Sequence, residues 1–155
     1  MTAGGYDPQS GRYPTHVEPG GLGARFLARL IDGIIVGVVG SIVLFALHLQ
    51  SNIMVTGLFT GLLTFVYFVA FEVTQGWTPG KKLLGLSVHG PAGAAKPDVS
   101  QSAIRNAFTV LTIIPFVGGL LAFIAIVVIA VTINGSPTKQ GKHDELAGGT
   151  QVLQG

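Results

Sequence analysis

The chain has no cysteine and few charged residues. Its 155 residues contain no Cys, and Asp, Glu, Lys and Arg together make up 10%. The lack of cysteine excludes disulfides and thiolate metal sites. A soluble domain carries about a quarter charged residues, so this deficit, with a mean hydropathy of +0.60, predicts an integral membrane protein. The net charge of +2 is small and the basic residues are scattered, which argues against nucleic acid and leaves the lipid bilayer as the expected partner.

The N-terminal region differs in composition from the rest of the chain. Residues 1–21 form a polar tract rich in Gly, Pro and Tyr, which cannot bury a core and is therefore predicted to be a disordered tail. No basic region followed by an apolar stretch begins at Met1, so we expect no cleaved signal peptide and a retained first apolar segment. The length then suggests one transmembrane domain over residues 22–153.

Two long apolar segments are predicted to be full transmembrane helices. They run from Phe26 to Leu49 and from Ile53 to Val73, and each is long enough to cross a hydrocarbon core of about 30 Å. A short polar turn at residues 48–52 separates them, so the two helices are predicted to be antiparallel neighbours.

Both segments carry small residues at helical spacing, namely Gly33 and Gly37 on the first and Gly57 and Gly61 on the second. In lipid, small residues let helix backbones approach closely. The short turn favours packing of the first helix on the second through these glycines. A dimer seam is the alternative.

The polar segment 74–102 is predicted to lie outside the bilayer, with a short strand within Leu83–His89 and a turn after it. Gly76–Lys82 differs from a phosphate-binding loop, because three residues rather than four separate its first two glycines and Lys82 replaces the usual Ser or Thr. We therefore expect no nucleotide cofactor. The segment reads as a turn at the membrane surface in which Lys81 and Lys82 contact anionic headgroups.

Residues 103–133 allow two topologies. As one straight helix they would be roughly 46 Å long, too long for a single span, and Pro115 and Gly118–Gly119 interrupt them. One alternative is an interfacial helix to Ile114 followed by a third span. The other is a Pro/Gly-broken helical hairpin that turns at residues 115–119. The fold class is all-α in both cases.

The distribution of Lys and Arg favours the hairpin. The turn at residues 48–52 has no Lys or Arg, whereas the basic residues flank the apolar segments on its opposite side: Arg12, Arg25, Arg29, Lys81, Lys82, Lys96, Arg105, Lys139 and Lys142. Cytoplasmic loops are enriched in Lys and Arg. A hairpin keeps Lys139 and Lys142 on the cytoplasmic side with the other basic residues, so both termini are predicted to be cytoplasmic.

Three charged residues lie on one face where the first apolar segment begins. Arg25, Arg29 and Asp32 are spaced by four and three residues, within roughly a 60° sector of a helix. Asp32 lies roughly 10 Å into the segment, where a charge normally has a partner or a function. Glu72 lies at the same end of the antiparallel second helix, so we expect it to pair with Arg25 or Arg29.

Two interpretations of this group are open. It is either a proton or cation path through Asp32 and Glu72, or an ion-pair network that fixes helix register. His143, Asp144 and Glu145 are adjacent and share no helix face, so no metal site is expected. No nucleophile and base stand at a catalytic spacing, and we therefore do not expect an enzyme.

The chain resembles the RDD family of small bacterial membrane proteins. The resemblance covers residues 22–153 and rests on segments in a consistent order: Arg25–Asp32, Gly76–Val88, Ala103–Asn106 and Gly141–Gly148. Small departures are Pro79 and the extra Gly149. The resemblance implies that the aspartates of the family pattern are Asp32 and Asp144 and that its arginine is Arg29, or Arg25.

The family is largely of unknown function. Transport of undefined ligands is suggested for it, and exchange of cations for protons is attributed to some members. The resemblance thus implies a bacterial plasma-membrane protein that transports a ligand or exchanges cations. The alternative is a non-transporting accessory or scaffold subunit. As a transporter, a chain this small is expected to form a homo-oligomer.

The resemblance also bears on topology. If Asp144 works with Arg29 and Asp32, the C-terminal segment must return to the start of the first helix, which agrees with the hairpin. Segments 86–88 and 150–152 are then predicted to pair as a two-stranded patch.

Overall fold

The computed structural model describes residues 17–155. Predominantly helical, it contains three helices long and apolar enough to span a membrane, α1, α2 and α5. In chain order the elements are β1 (Glu18–Pro19), α1 (Leu22–Ala46), α2 (Ile53–Gln75), α3 (Pro79–Leu83), β2 (Leu86–His89), α4 (Val99–Asn106), a 3₁₀ segment (Ala107–Ile113), α5 (Gly118–Gly135), α6 (Lys142–Leu146) and β3 (Gln151–Gln154), with a further 3₁₀ turn at Pro91–Gly93.

The first two predicted spans are confirmed as α1 and α2. Asn52 caps α2, since its side chain accepts hydrogen bonds from the backbone N–H groups of Met54 and Val55. Gly76 ends α2 in the left-handed conformation, with φ of 75°, which glycine adopts at little cost. The chain thus turns sharply at both ends of α2.

Residues 103–133 form the hairpin rather than a single third span. Its outgoing limb, the 3₁₀ segment, leaves α4 at Asn106, whose side chain bonds to Glu72 of α2. Thr112 and Ile113 reach Gly61, about 16 Å farther along α2 than Glu72. The chain then turns, and α5 runs back along the outgoing limb to α6, which contacts α4.

Pro115 and Gly118 account for the turn of the hairpin. Proline lacks the N–H group that would continue a helix, and Phe116 has a positive φ of 67°. A Cβ atom at Gly118 would lie 2.2 Å from the backbone oxygen of Leu111. Only glycine lets α5 begin so close to the outgoing limb.

A small antiparallel sheet joins the two ends of the described chain. β3 lies between β1 and β2, with Glu18 opposite Gln154 and Val88 opposite Val152. The predicted pairing of segments 86–88 and 150–152 is confirmed as a contact between the two regions, but the register is shifted, since Leu86 lies opposite Gln154, and the patch has three strands rather than two. The sheet lies where α1 begins and α2 ends, which we call the sheet end.

The predicted tail needs one correction. Residues 1–16 lie outside the described residues, but residues 17–21 include β1, and the backbone N–H of Gly20 donates to the oxygen of Val152 at 2.9 Å. The prediction of disorder up to residue 21 is therefore wrong for residues 17–21. The sequence gives little indication of β1, because its pairing partner β3 lies more than 130 residues later in the chain.

Gly57 and Gly61 pack against the hairpin and not against α1. A Cβ atom at Gly61 would lie 2.7 Å from Ile113 and 2.9 Å from Thr112, and the nearest atom to one at Gly57 is the Thr112 oxygen at 3.9 Å. These glycines therefore make room for the outgoing limb, whose position the sequence pattern did not reveal.

Gly33 and Gly37 do not mediate helix packing within the chain. Both are exposed, and a Cβ atom at either would meet nothing within 4 Å. α1 and α2 do contact each other, as predicted, but at Gly40, where a Cβ atom would lie 3.4 Å from Leu63. The predicted packing through Gly33 and Gly37 is wrong, because α1 meets α2 at Gly40 instead.

Candidate functional site

Seven charged side chains gather at the sheet end. We call this group the charge cluster: Arg25, Arg29, Asp32, Glu72, Lys81, Arg105 and Asp144. It contains all five residues predicted for the polar cluster. Its three carboxylates, Asp32, Glu72 and Asp144, have 0% exposure. Buried carboxylates need hydrogen bonds or cations, and each of the three obtains them differently.

Asp144 pairs with two arginines. Arg25 Nη1 lies 3.1 Å from its Oδ2, and Arg105 Nη1 donates to its Oδ1. Thr150 Oγ1 and the backbone N–H of Gly141 also donate to this carboxylate, at 2.9 Å and 3.1 Å. Burial raises the pKa of Asp144, but attraction to Arg105 and the other cations outweighs burial and holds the pKa below its usual value.

Glu72 pairs with Lys81 and Arg105. Lys81 Nζ lies 2.5 Å from its Oε1, and Arg105 Nε lies 3.3 Å from its Oε2. Ser102 and Asn106 donate to the same Oε2, at 2.9 Å and 3.0 Å. The predicted pair of Glu72 with Arg25 or Arg29 is therefore wrong, because α3 and α4 fold over the end of α2 and bring closer cations.

Lys81 is part of the cluster and not a headgroup contact. It is 7% exposed, and burial lowers its pKa to about 8 although Glu72 raises it. The headgroup prediction is thus wrong for Lys81. Lys82 is exposed, with Nζ 4.1 Å from the ring centroid of Trp77. Its contact with lipid headgroups stays a prediction.

Asp32 is held by uncharged donors. Tyr67 Oη and the backbone N–H of Gly80 each donate to its Oδ1 at 2.8 Å, and Thr78 Oγ1 donates to its Oδ2 at 2.5 Å. A Cβ atom at Gly80 would lie 2.2 Å from the backbone oxygen of Ala28. The segment that resembled a phosphate-binding loop therefore wraps a carboxylate of its own chain.

Arg29 has no direct carboxylate partner among the hydrogen bonds of the described residues. Its Nη2 donates to Asn106 Oδ1 at 3.1 Å. Its guanidinium carbon lies 3.7 Å from the ring centroid of Phe68 and 5.0 Å from that of Phe108. Its Nη1 is buried without a hydrogen-bond partner.

Arg105 is the central residue that the sequence interpretation missed. It is 2% exposed and bridges Glu72 to Asp144. Attraction to these two carboxylates outweighs burial and raises its pKa. A signal was available, because Ser102, Arg105 and Asn106 follow the capping box of α4 at spacings that place them on one helix face.

A cavity of about 690 Å³ extends from the charge cluster between α1, α2, α5 and the outgoing limb. Arg29, Lys81 and Arg105 line it near the sheet end, and Thr56 and Gly57 line it far along α2. Four cations and three carboxylates leave one positive charge in excess. His143 adds none at neutral pH, because burial lowers its pKa to about 3.

No group of three or more His, Cys, Asp and Glu residues within residues 17–155 is arranged to hold a metal ion. His143 lies beside Phe108, with ring centroids 6.3 Å apart. The arrangement offers charge and hydrogen-bond donors at one end of a partly open cavity.

A model of the RDD family matches residues 19–148. The match covers most of the chain and every member of the charge cluster, which confirms the resemblance found in the sequence. No curated protein and no solved structure matches the chain.

Proposed function

The chain belongs to the RDD family, and from that premise we propose that it carries a small ligand through the cavity between its membrane-spanning helices. The observation that supports this is the cavity itself, which reaches the buried charge cluster. A space of about 690 Å³ lies within the range of small-molecule sites, and ionisable groups inside a membrane commonly mark a ligand path.

A narrower form of this proposal is exchange of cations for protons. Asp32 would be the exchangeable carboxylate and Arg29 the nearby cation. The cavity lining includes both residues. The excess positive charge weighs against a bare cation, so this form requires a direct test.

That test is proton flux in proteoliposomes. The purified protein is reconstituted with a pH-sensitive dye inside, and Na⁺ or K⁺ is added outside. Exchange predicts a cation-dependent flux that Asp32→Asn removes. Ala130→Phe, which places a ring in the cavity lining, should also remove it. Val131→Phe is the matched control, because Val131 is 65% exposed and does not line the cavity. Folded wild-type protein without any flux would contradict exchange.

A second candidate is a non-transporting accessory or scaffold subunit. Saturation of the three buried carboxylates by cations and hydrogen bonds favours it, because such a network also fixes helix register. Affinity purification from native membranes tests this candidate. A stoichiometric partner whose retention survives Ala130→Phe would support it over transport.

We further propose a location in the bacterial plasma membrane with the sheet end in the cytoplasm. The basic residues among the described part of the chain lie at this end, and the turn at residues 47–52 has none. This distribution matches the enrichment of Lys and Arg in cytoplasmic segments.

We also propose that the working unit is a homo-oligomer or a larger membrane complex, because one hairpin and two spans make a small transporter. The exposed Gly33 and Gly37 leave the dimer seam as a candidate contact. Light scattering of the protein–detergent complex measures its mass. A Gly37→Leu variant that lowers the oligomer to a monomer would support this seam, and an unchanged oligomer would place the contact elsewhere.

A further inference from the structure

Four buried polar side-chain atoms among the described residues lack a hydrogen-bond partner: Arg29 Nη1, Thr56 Oγ1, His89 Nδ1 and His143 Nδ1. Arg29, Thr56 and His143 line the one cavity described above. An unsatisfied buried polar atom is costly, and a concentration of such atoms in one cavity is typical of a binding site.

The sheet end of the cavity favours an anion. The charge cluster has one positive charge in excess, and Arg29 is the cation without a direct carboxylate partner among the described hydrogen bonds. Its Nη2 is engaged by Asn106 and its plane lies over Phe68, which fixes the guanidinium. Its Nη1 is left for one further acceptor. A ligand carboxylate would balance the charge and accept this hydrogen bond.

The remainder of the cavity favours an apolar chain. Leu30, Ile126 and Ile129 contribute to its walls. The hydroxyl groups of Thr64, Thr109 and Thr112 also lie in the lining, but each donates to a backbone oxygen of its own segment, three or four residues earlier. These three hydroxyls are therefore engaged, and the unsatisfied Thr56 Oγ1 at the far end is a single free hydroxyl, which favours an apolar chain over a sugar or an amino acid.

The length of the cavity fits a single acyl chain. Its lining follows α2 from Phe68, which contacts Arg29, to Thr56. This stretch measures about 18 Å along the helix, close to the roughly 15 Å that one leaflet contributes to the hydrocarbon core.

We propose that the cavity binds the anion of a long-chain fatty acid, with its carboxylate on Arg29 and its acyl chain between α2, α5 and the outgoing limb. The inference rests on the proposed function, since it names the ligand class of the same cavity.

Binding of radiolabelled palmitate to the protein in nanodiscs tests this inference. Wild-type protein should bind palmitate saturably, with at least about tenfold higher affinity than uncharged hexadecanol, because the alcohol lacks the charge-assisted hydrogen bond. Ala130→Phe should weaken binding by at least about tenfold by filling the cavity, and Val131→Phe should leave it unchanged. Equal binding of palmitate and hexadecanol, or undiminished binding by Ala130→Phe, would overturn the proposal.

The role of Arg29 is tested with two variants, because loss of its charge can also affect folding. Arg29→Gln should abolish the preference for palmitate over hexadecanol. Arg29→Lys should retain part of it, since lysine keeps the positive charge but lacks the planar guanidinium with several N–H donors. Hexadecanol binding reports whether the cavity is intact in each variant. A preference that survives Arg29→Gln in folded protein would contradict the assignment.

The two proposals fail in different ways. If palmitate does not bind but Ala130→Phe still abolishes flux, the fatty-acid assignment is wrong and the transport proposal stands. Lysophosphatidylglycerol carries one acyl chain and a phosphodiester. If it displaces radiolabelled palmitate at a lower concentration than unlabelled palmitate does, the anionic group of the ligand is a phosphate and the carboxylate assignment is wrong.

Discussion

Arg105 is the side chain on which the charge cluster depends most, because its guanidinium joins carboxylates from distant parts of the chain. Glu72 belongs to a spanning helix and Asp144 to the short helix α6. Both carboxylates have 0% exposure. Removal of the shared cation would leave two buried negative charges with fewer partners. Loss of one partner of a buried ion pair strongly lowers the free energy of unfolding.

We expect Arg105→Met to lower the free energy of unfolding by about 3–5 kcal/mol. Thermal or denaturant unfolding in detergent measures the loss. Lys142→Met is the control, because Lys142 pairs with Glu145 in a bridge whose side chains are 53% and 56% exposed, and such bridges contribute at most about 1 kcal/mol. Adding Asp144→Asn to Arg105→Met should restore part of the stability. Equal losses for Arg105→Met and Lys142→Met would contradict the central role of Arg105.

His143 makes the stability of the fold sensitive to acid. Burial lowers its pKa from 6.5 to about 3 in the folded protein, so below pH 6.5 the unfolded chain binds a proton that the folded chain does not. Stability is then lost as the pH falls from 6.5 towards 3. At about 1.4 kcal/mol per unit, the expected loss between pH 6.5 and 4.5 is on the order of 2 kcal/mol.

His143→Gln should remove this part of the pH dependence, as measured by unfolding at pH 6.5 and 4.5. His48→Gln is the matched control, since His48 is exposed in the turn between α1 and α2. If both variants keep the full wild-type loss, the titrating group is another residue.

At the scale of the secondary-structure elements, the turn of the hairpin depends on one close backbone contact, between Gly118 and Leu111. Gly118 begins α5 against the backbone oxygen of Leu111, whereas the adjacent Gly119 has open space where a Cβ atom would lie. The same substitution at two neighbouring glycines should therefore have opposite effects.

We expect Gly118→Ala to destabilise the protein by about 1–3 kcal/mol through overpacking. Gly119→Ala should leave stability unchanged or raise it by up to about 1 kcal/mol, since alanine is the better helix former. Unfolding in detergent compares the two variants. Similar effects of both substitutions would show that the tight contact at Gly118 is not needed.

The sequence predicted the elements better than their contacts. Apolar length revealed α1 and α2, and the positions of Lys139 and Lys142 favoured the hairpin. The partners of Glu72 were missed because they depend on how α3 and α4 fold back over α2. Asp32 was identified by its depth in the apolar segment. Its hydrogen-bond donors Tyr67, Thr78 and Gly80 carry no charge, so no charge pattern in the sequence indicated them. Local periodicity does not encode such tertiary contacts.

At the scale of the whole molecule, the proposed orientation places the sheet end in the cytoplasm. The absence of native cysteine allows single-cysteine labelling without background. Ser51 and Ser100 are both exposed and lie at opposite ends of the helices. In intact cells, a membrane-impermeant maleimide should label Ser51→Cys, and it should label Ser100→Cys only after permeabilisation. The reverse pattern would contradict the orientation.

The central position of β3 in the sheet has a consequence for the order of synthesis. Ribosomes make α1, α2 and α5 before Asp144 and β3, so these helices are complete while Arg25 and Arg105 still lack Asp144 as a partner. Residues 139–154 then close the sheet end in one step, pairing both arginines and joining β1 to β2. Until that step, among the residues that the structure describes, Arg25 has no carboxylate partner and Arg105 has only Glu72.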